Sequence, residues 1–576
     1  MTTVRAANIG GRPVRDGRLA CLPLDDRPVN YDYPRELAEI AGLEIELPPR
    51  ECLGNRWRSN CACPVLSEPG RGGTGAGSRH AKLVAWLEKT AAHADALLVA
   101  LDTLGYGGLI PSRTSPESAE QVLERLSILK KIKTRQPDLR ILAYNVILRI
   151  SRADSAEEEK EYWADYGSRM FRLSYLEHKS GLGEANDVET AERTRLRTQI
   201  PDSVYDDYLQ GRKRNHAVNR VMLDWLGEGV FDYLLLPQDD TADYGWNIAE
   251  ARTLQSAIRL RGLSDRAITY PGADETASLL LARYVCQQAG FAPRVWPRYS
   301  SQASSQVITA YEDRPMHELL KAHLAPLNGF LADSPQEADL LLFVNAPAEV
   351  QGASELQELI AREITDPTYP IPIDKDEIYR LTRREMTSPR RSVEEFVRAL
   401  QAALETGIPV ALADVAFVNG ADLLLGRQLM QTGLAPRLAA YAGWNTAGNT
   451  LGTVLGQAVL SILMLRGAPT PAQQAAQLAF LFRRYLDDYF YQAVERTHLV
   501  YEDLPALGLD PSMERLPADK LEAVERRLQA RLYAAAGELR ERFVQTGLVR
   551  DVRVDHIHLP WQRLFEVGFD VHLELP

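Results

Sequence analysis

Short apolar runs alternate along this chain with longer segments of helical period, and no other feature constrains the fold as tightly. A parallel sheet needs apolar strands joined by amphipathic crossover helices, and this is the pattern it leaves in a sequence. The runs are RLACLPL (18–24), LEIEL (43–47), ALLVAL (96–101), RILAYNVIL (140–148), YLLLP (233–237), AITYP (267–271), DLLLFV (339–344) and PVALADV (409–415). Between them, EQVLERLSILKKIK (120–133), AEARTLQSAIRLR (249–261), TASLLLARYVCQQ (276–288) and VEEFVRALQAALE (393–405) repeat apolar residues at spacings of three and four. The pattern predicts an α/β protein. About eight strand–helix pairs fit a (β/α)8-barrel-like core, with a doubly wound open sheet as the alternative.

Two regions break the alternation. Residues 151–230 are charged, aromatic and helical in period, which predicts a helical insertion between two core strands. Beyond residue 465 the chain is helix-rich again, and VRVDHIHLPWQRLFEVGFDVHLEL alternates as a closing pair of strands does. The expected organisation is therefore an α/β catalytic core over 1–465, carrying the 151–230 insertion, and a helical region with C-terminal strands over 466–576.

The residues that follow the apolar runs carry the chemistry, because ligands of parallel α/β folds bind beyond the carboxyl ends of the strands. Asp25, Asp26 and Arg27 follow the first run; Asp102 and Tyr106 follow ALLVAL; Asn145 lies within RILAYNVIL. Asp239 and Asp240 follow YLLLP, Asp274 and Glu275 follow AITYP, and Asp414, with Asn419 beyond it, ends PVALA. Each acid alone is explained as a cap for the next helix. A cap needs one residue, whereas the pairs 25/26, 239/240 and 274/275 each supply two. Adjacent carboxylates repel, which lifts one pKa and leaves an acid beside a base, as cleavage of a glycosidic bond requires. Tyr106, Trp246 and Trp444 offer flat apolar faces for sugar rings, core packing being the competing account. In AGWNTAGNTLGTVLGQAVL (442–460), Asn445 stands at the start of an apolar helix with free amides. The helical insertion places Arg212, Asn215 and Asn219 on one helix face, either solvated or reaching over the site as a lid.

The leading expectation is thus a glycoside hydrolase with paired carboxylates, Asp240 as general acid/base and Asp239 orienting, with Asp274 and Glu275 as the alternative pair. Asp25, Asp26, Arg27, Asp102, Tyr106, Asn145, Trp246, Asp414, Asn419, Trp444 and Asn445 would bind substrate. No cofactor or metal is expected. The alternatives are a metal-dependent hydrolase or lyase using Mg2+, Mn2+ or Ca2+, and a carbohydrate-binding protein without turnover.

A net charge of −12 over 576 residues argues against nucleic acid and anionic membranes, and favours a neutral or cationic small molecule. The expected partner is a small carbohydrate, and an oligomer is compatible with the sequence. The start MTTVRAANIGGRPVRDG lacks the apolar core of a secretory signal, and no apolar run is long enough to span a membrane, so the expected location is cytoplasmic. Five scattered cysteines do not suggest a disulfide framework; Cys61 and Cys63 form a CxC without a second ligand pair at zinc spacing.

LPLDDRPVN, LDTLGYGGLIPSR, LPQDDTADYG, GADE, ADVAFVNGAD, AGWNTAGNTLGT and LPWQRLFEV together resemble the bacterial proteins grouped as domain of unknown function 4127. The resemblance runs over nearly the whole chain; it implies one large α/β unit and no particular reaction. More locally, GADE (272–275) is similar to the strand-end motif of family 20 hexosaminidases, and QDD (238–240) to the paired aspartates of family 84 enzymes. Those resemblances imply acid-assisted chemistry on N-acetylhexosaminides.

Overall fold

The computed structural model describes residues 17–53 and 76–576; Cys61, Cys63 and most of the glycine-rich stretch 68–78 lie outside the described residues. All eight apolar runs form strands. In chain order the first sheet is built from β1 (Arg18–Leu22), β2 (Glu44–Glu46), β3 (Ala96–Ala100), β4 (Arg140–Tyr144), β5 (Tyr233–Gln238) and β6 (Ala267–Pro271). Next come β7 (Arg294–Tyr299), β8 (Phe330–Leu331), β9 (Leu340–Asn345), β10 (Gly352–Ala353), β11 (Val410–Asp414), β12 (Phe417–Val418) and β13 (Ala440–Ala442). β14 (Asp551–His558) and β15 (Gly568–Glu574) form a terminal antiparallel hairpin.

The barrel expectation is corrected by the strand order. The first sheet runs β2-β1-β3-β4-β5-β6 and the second β13-β11-β9-β7-β8, both open and parallel, with β10 and β12 as a separate small pair. In each large sheet the first strand in sequence has the second on one side and the third on the other, a doubly wound order used twice, with switch points at β1/β3 and β7/β9.

Side chains alternate across each strand, and the alternation makes the layers. Leu19 and Cys21 of β1, Leu98 of β3, Leu342 of β9 and Ala413 of β11 face one shared core, with Pro28–Ala41, Thr276–Ala289, Met316–Leu324 and Ala447–Arg466 as its helices. Ala20 and Leu22 of β1 face the opposite side, under Asp202–Gly227 and Trp246–Leu260. Phe343 and Leu412 of the second sheet do likewise under Val393–Leu404 and Ala518–Gln545. The result is five layers, helix, sheet, helix, sheet, helix.

Ala447–Arg466 has the length and apolarity to cross a membrane, but nearly all of it is buried in the shared core. It packs on Thr276–Ala289 so closely that a Cβ at Gly452 would stand 2.0 Å from Glu275 Cγ. Gly452→Ala is therefore expected to destabilise by about 1–3 kcal/mol through overpacking, seen as a lower thermal midpoint.

The insertion between β4 and β5 carries the helices Trp163–Gly181, Asp187–Gln199 and Asp202–Gly227. Its polar face is neither a lid nor solvated. Arg212, Asn215 and Asn219 are buried, and Arg212 donates to the carbonyls of Leu148 and Arg149. The insertion thus braces the chain leaving β4.

Candidate active site

Asp239 and Asp240 lie at the end of β5 and Asp274 just beyond β6, and all three line one cleft of about 610 Å³. The capping explanation fails for them. Trp246–Leu260 begins at Gly245 and Thr276–Ala289 at Glu275, and neither helix start receives a side-chain cap. Asp422, by contrast, does cap the helix Leu423–Thr432. The backbone at the cleft is also unusual. Asp240, Tyr311, Asn419 and Asn445, all lining it, hold φ values of 45°, 66°, 66° and 65°, the left-handed region that side chains avoid without compensating contacts.

Guanidinium groups from distant segments clamp the acids. Arg27 Nη2 reaches Asp25 at 2.7 Å and Asp274 at 2.5 Å, and its Nη1 stands 3.5 Å from Glu566. Asn30 and Asn445 donate to Asp274 at 3.1 and 3.4 Å. Arg113 meets Asp239 at 2.5 Å and Glu158 at 2.9 Å, while Arg149 meets Glu158 and Glu159 at 2.9 Å and Asp240 at 3.3 Å. Arg563 pairs with Glu158 and, at 2.6 Å, with Glu566.

These surroundings drive the carboxyl groups apart. Burial pushes Asp240 up to about 6, with the adjacent charge of Asp239 adding and Arg149 opposing. Burial also lifts Asp274 to about 7 against the pull of Arg27, with Asp25 and Asp239 adding. Glu312, buried in the cleft wall with Gly448 N–H donating to it at 2.7 Å, is raised well above the ordinary carboxyl value by burial. Burial would raise Glu158 too, but Arg149, Arg563, Arg113 and Arg27 together hold it well below that value. Groups with such divergent proton affinities in one cleft are the arrangement that supplies an acid and a base.

Of the residues expected to bind substrate, Arg27, Asn419 and Asn445 line the cleft. Asp25 stands behind Arg27, and Asp26 accepts from Trp561 Nε1 at 2.9 Å. The rest lie elsewhere, for identifiable reasons. Asp102 is fully buried and accepts from Val146 N–H; Tyr106 is buried under Arg214; Asn145 bonds Asn219. Trp246 packs on Tyr205 and Tyr208 in the insertion, with its indole N–H on Glu177. Trp444 is buried beside Phe565. Asp414 is buried with Asn345 and accepts from the backbone of Asp422. Glu275 turns from the cleft into the interior, its carboxylate on Ala273 N–H and 3.7 Å from His323, which removes it from the alternative pair.

Apart from Arg27, the clamp was missed by sequence reasoning. Arg113 lies in GGLIPSR, and Trp561, Arg563, Phe565 and Glu566 in LPWQRLFEV, so both stretches carried a signal that was read only as a resemblance. Arg149, Tyr311 and Glu312 stood outside any periodic segment, and Glu158, at the start of the stretch read as helical, lies in a loop before its first helix. Residues 466–576 also build the cleft. An 11-residue π-helix, Tyr485–Glu495, presents Asp488 to Gly443 N–H at 2.6 Å and leads directly into Arg496 and Tyr501 on the cleft wall. Such helices are rare and concentrate at functional sites.

Among the described residues, no group of three or more His, Cys, Asp or Glu side chains is placed to hold a metal ion. No curated protein and no solved structure matches the chain. A family model does, over residues 19–68 and 72–570, from β1 through the end of the cleft-forming LPWQRLFEV segment and into β15. The chain therefore belongs to the family described as protein of unknown function (DUF4127).

Proposed function

We propose that the protein is a hydrolase that cleaves a glycosidic bond in a small carbohydrate, with Asp240 as general acid/base. The observation that carries this reading is Asp240 itself. It caps no helix, sits on a left-handed backbone, is 23% exposed to the cleft, and has its proton affinity raised into the working range of an acid catalyst. As the bond breaks, its proton passes to the leaving oxygen while the 2-acetamido carbonyl of an N-acetylhexosaminide bonds to the anomeric carbon; the Asp240 carboxylate then takes a proton from the water that displaces that carbonyl. Asp239, tied to Arg113, orients the substrate, and Asp274 faces the same cleft from β6. Tyr311, Tyr501 and Phe565 provide the apolar faces first sought at Tyr106, Trp246 and Trp444. The cleft volume suits a small molecule.

The test is release of aglycone from a panel of aryl glycosides, N-acetylhexosaminides included. Turnover is expected, with a rate that falls as pH rises above about 6, because Asp240 then loses the proton it must donate. The divalent-cation alternative has less support, since Arg27, Arg113 and Arg149 occupy carboxylate oxygens that such an ion would need. Turnover is accordingly expected to survive EDTA. Sugar-dependent thermal stabilisation with no cleavage of any glycoside would overturn the hydrolase in favour of a binding protein.

A further inference from the structure

Six arginines line the cleft, and they fall into two groups. Arg27, Arg113, Arg149 and Arg563 each meet at least two carboxylates at ion-pair distance. Arg152 and Arg496 have no such partner among the described residues. Arg152 spends one donor on the Thr241 carbonyl at 3.1 Å, with its head over the rings of Phe171 and Tyr311 at 5.2 and 5.3 Å. Arg496 spends one on Gln492 at 3.2 Å, with its head 5.3 Å from the Phe565 ring centroid, and its Nε is buried without a partner. A guanidinium has five donors, so both retain most of theirs. The aromatic rings beside each head attract its positive charge and favour the position it holds, which lowers the entropy lost when an oxyanion is gripped.

We propose that Arg152 and Arg496 recognise an anionic group, a carboxylate or a phosphate, on the carbohydrate that enters this cleft; the inference rests on the carbohydrate reading above. Planar guanidinium donors match both oxyanions, and such charge-assisted bonds are the strong ones. Glu355 lines the same cleft with a buried Oε2 that has no partner, a ready acceptor for a sugar hydroxyl.

Calorimetric binding of monosaccharides to the full-length protein tests the proposal without turnover. Glucuronate and glucose 6-phosphate represent the two oxyanions, and glucose is the neutral reference. At least one acidic sugar is expected to bind roughly 10- to 100-fold more tightly than glucose, and the better of the two identifies the anion. The Arg152→Gln/Arg496→Gln double variant is expected to abolish that preference while leaving glucose binding unchanged. Arg152→Gln alone, at an exposed position, is expected to remove part of it in a chain whose fold is not at risk. Equal affinity for charged and neutral sugars, no binding of either acidic sugar, or an undiminished preference in the folded variants would each overturn the proposal. Acidic-sugar binding through both arginines with no glycoside cleaved would overturn the hydrolase reading alone. Cleavage of neutral glycosides by a protein that shows no preference for either acidic sugar, or whose preference the double variant leaves intact, would overturn this inference alone.

Discussion

Asparagine in place of Asp240 is expected to lower kcat on an aryl glycoside by roughly 10²- to 10⁴-fold, the usual contribution of a positioned proton donor. The amide keeps the shape of the side chain and has no proton to give, so the loss falls on kcat with KM little changed. Residual activity should also lose its alkaline limb, because the group pushed up to about 6 has been removed. Folding should not suffer. Burial already disfavours the charged form of Asp240, so a neutral isostere there is no less stable, and a thermal midpoint at or above that of the wild type is the expected control. A variant that folds and turns over at the wild-type rate would remove Asp240 from the chemistry.

The second large effect is structural. Arg27→Met is expected to destabilise by about 3–5 kcal/mol at pH 8, the penalty typical of breaking a buried ion pair from one side. Arg27 is 5% exposed and serves Asp25, Asp274 and Glu566 together, so its loss leaves largely buried carboxyl groups short of a counter-charge. The deficit is pH-dependent, with a definite sign. Burial raises Asp274 to about 7 even with Arg27 in place, so the folded chain binds its proton more tightly than the unfolded chain does. Stability therefore falls as pH rises through about 7 and is regained as pH falls and the group is neutralised. Without Arg27 this dependence steepens, and the gap between variant and wild type should narrow from pH 8 toward pH 5. Thermal midpoints across that range measure it; a variant as stable as wild type at pH 8 would show that the clamp holds nothing.

The elements legible in the sequence were those with a local signature. Each of the eight strands followed from a run of neighbouring apolar residues, and Thr276–Ala289 and Val393–Leu404 followed from their spacing. RVWPRY and AYA escaped as β7 and β13, the first because a proline and two arginines interrupt it, the second because three residues carry no period. Asp239, Asp240 and Asp274 were legible as strand-end acids. Trp246 and Trp444 were misplaced because an aromatic near a strand end in sequence can equally turn into a core, and the sequence does not say which.

What the sequence by itself determined is therefore the α/β class, the strands and the acids at their ends, all properties of residues within a few positions of one another. What only the tertiary structure decided is that the strands divide between two open sheets rather than one closed barrel, and that three of those acids, Asp239, Asp240 and Asp274, share one cleft under an arginine clamp while the others turn into the interior. Strand order and ion pairing depend on which segments meet after the chain has collapsed, and Arg27 meets Glu566 across 539 residues. No periodicity spans such a separation; it is set by burying both faces of each sheet at once, with a layer of helices common to the two.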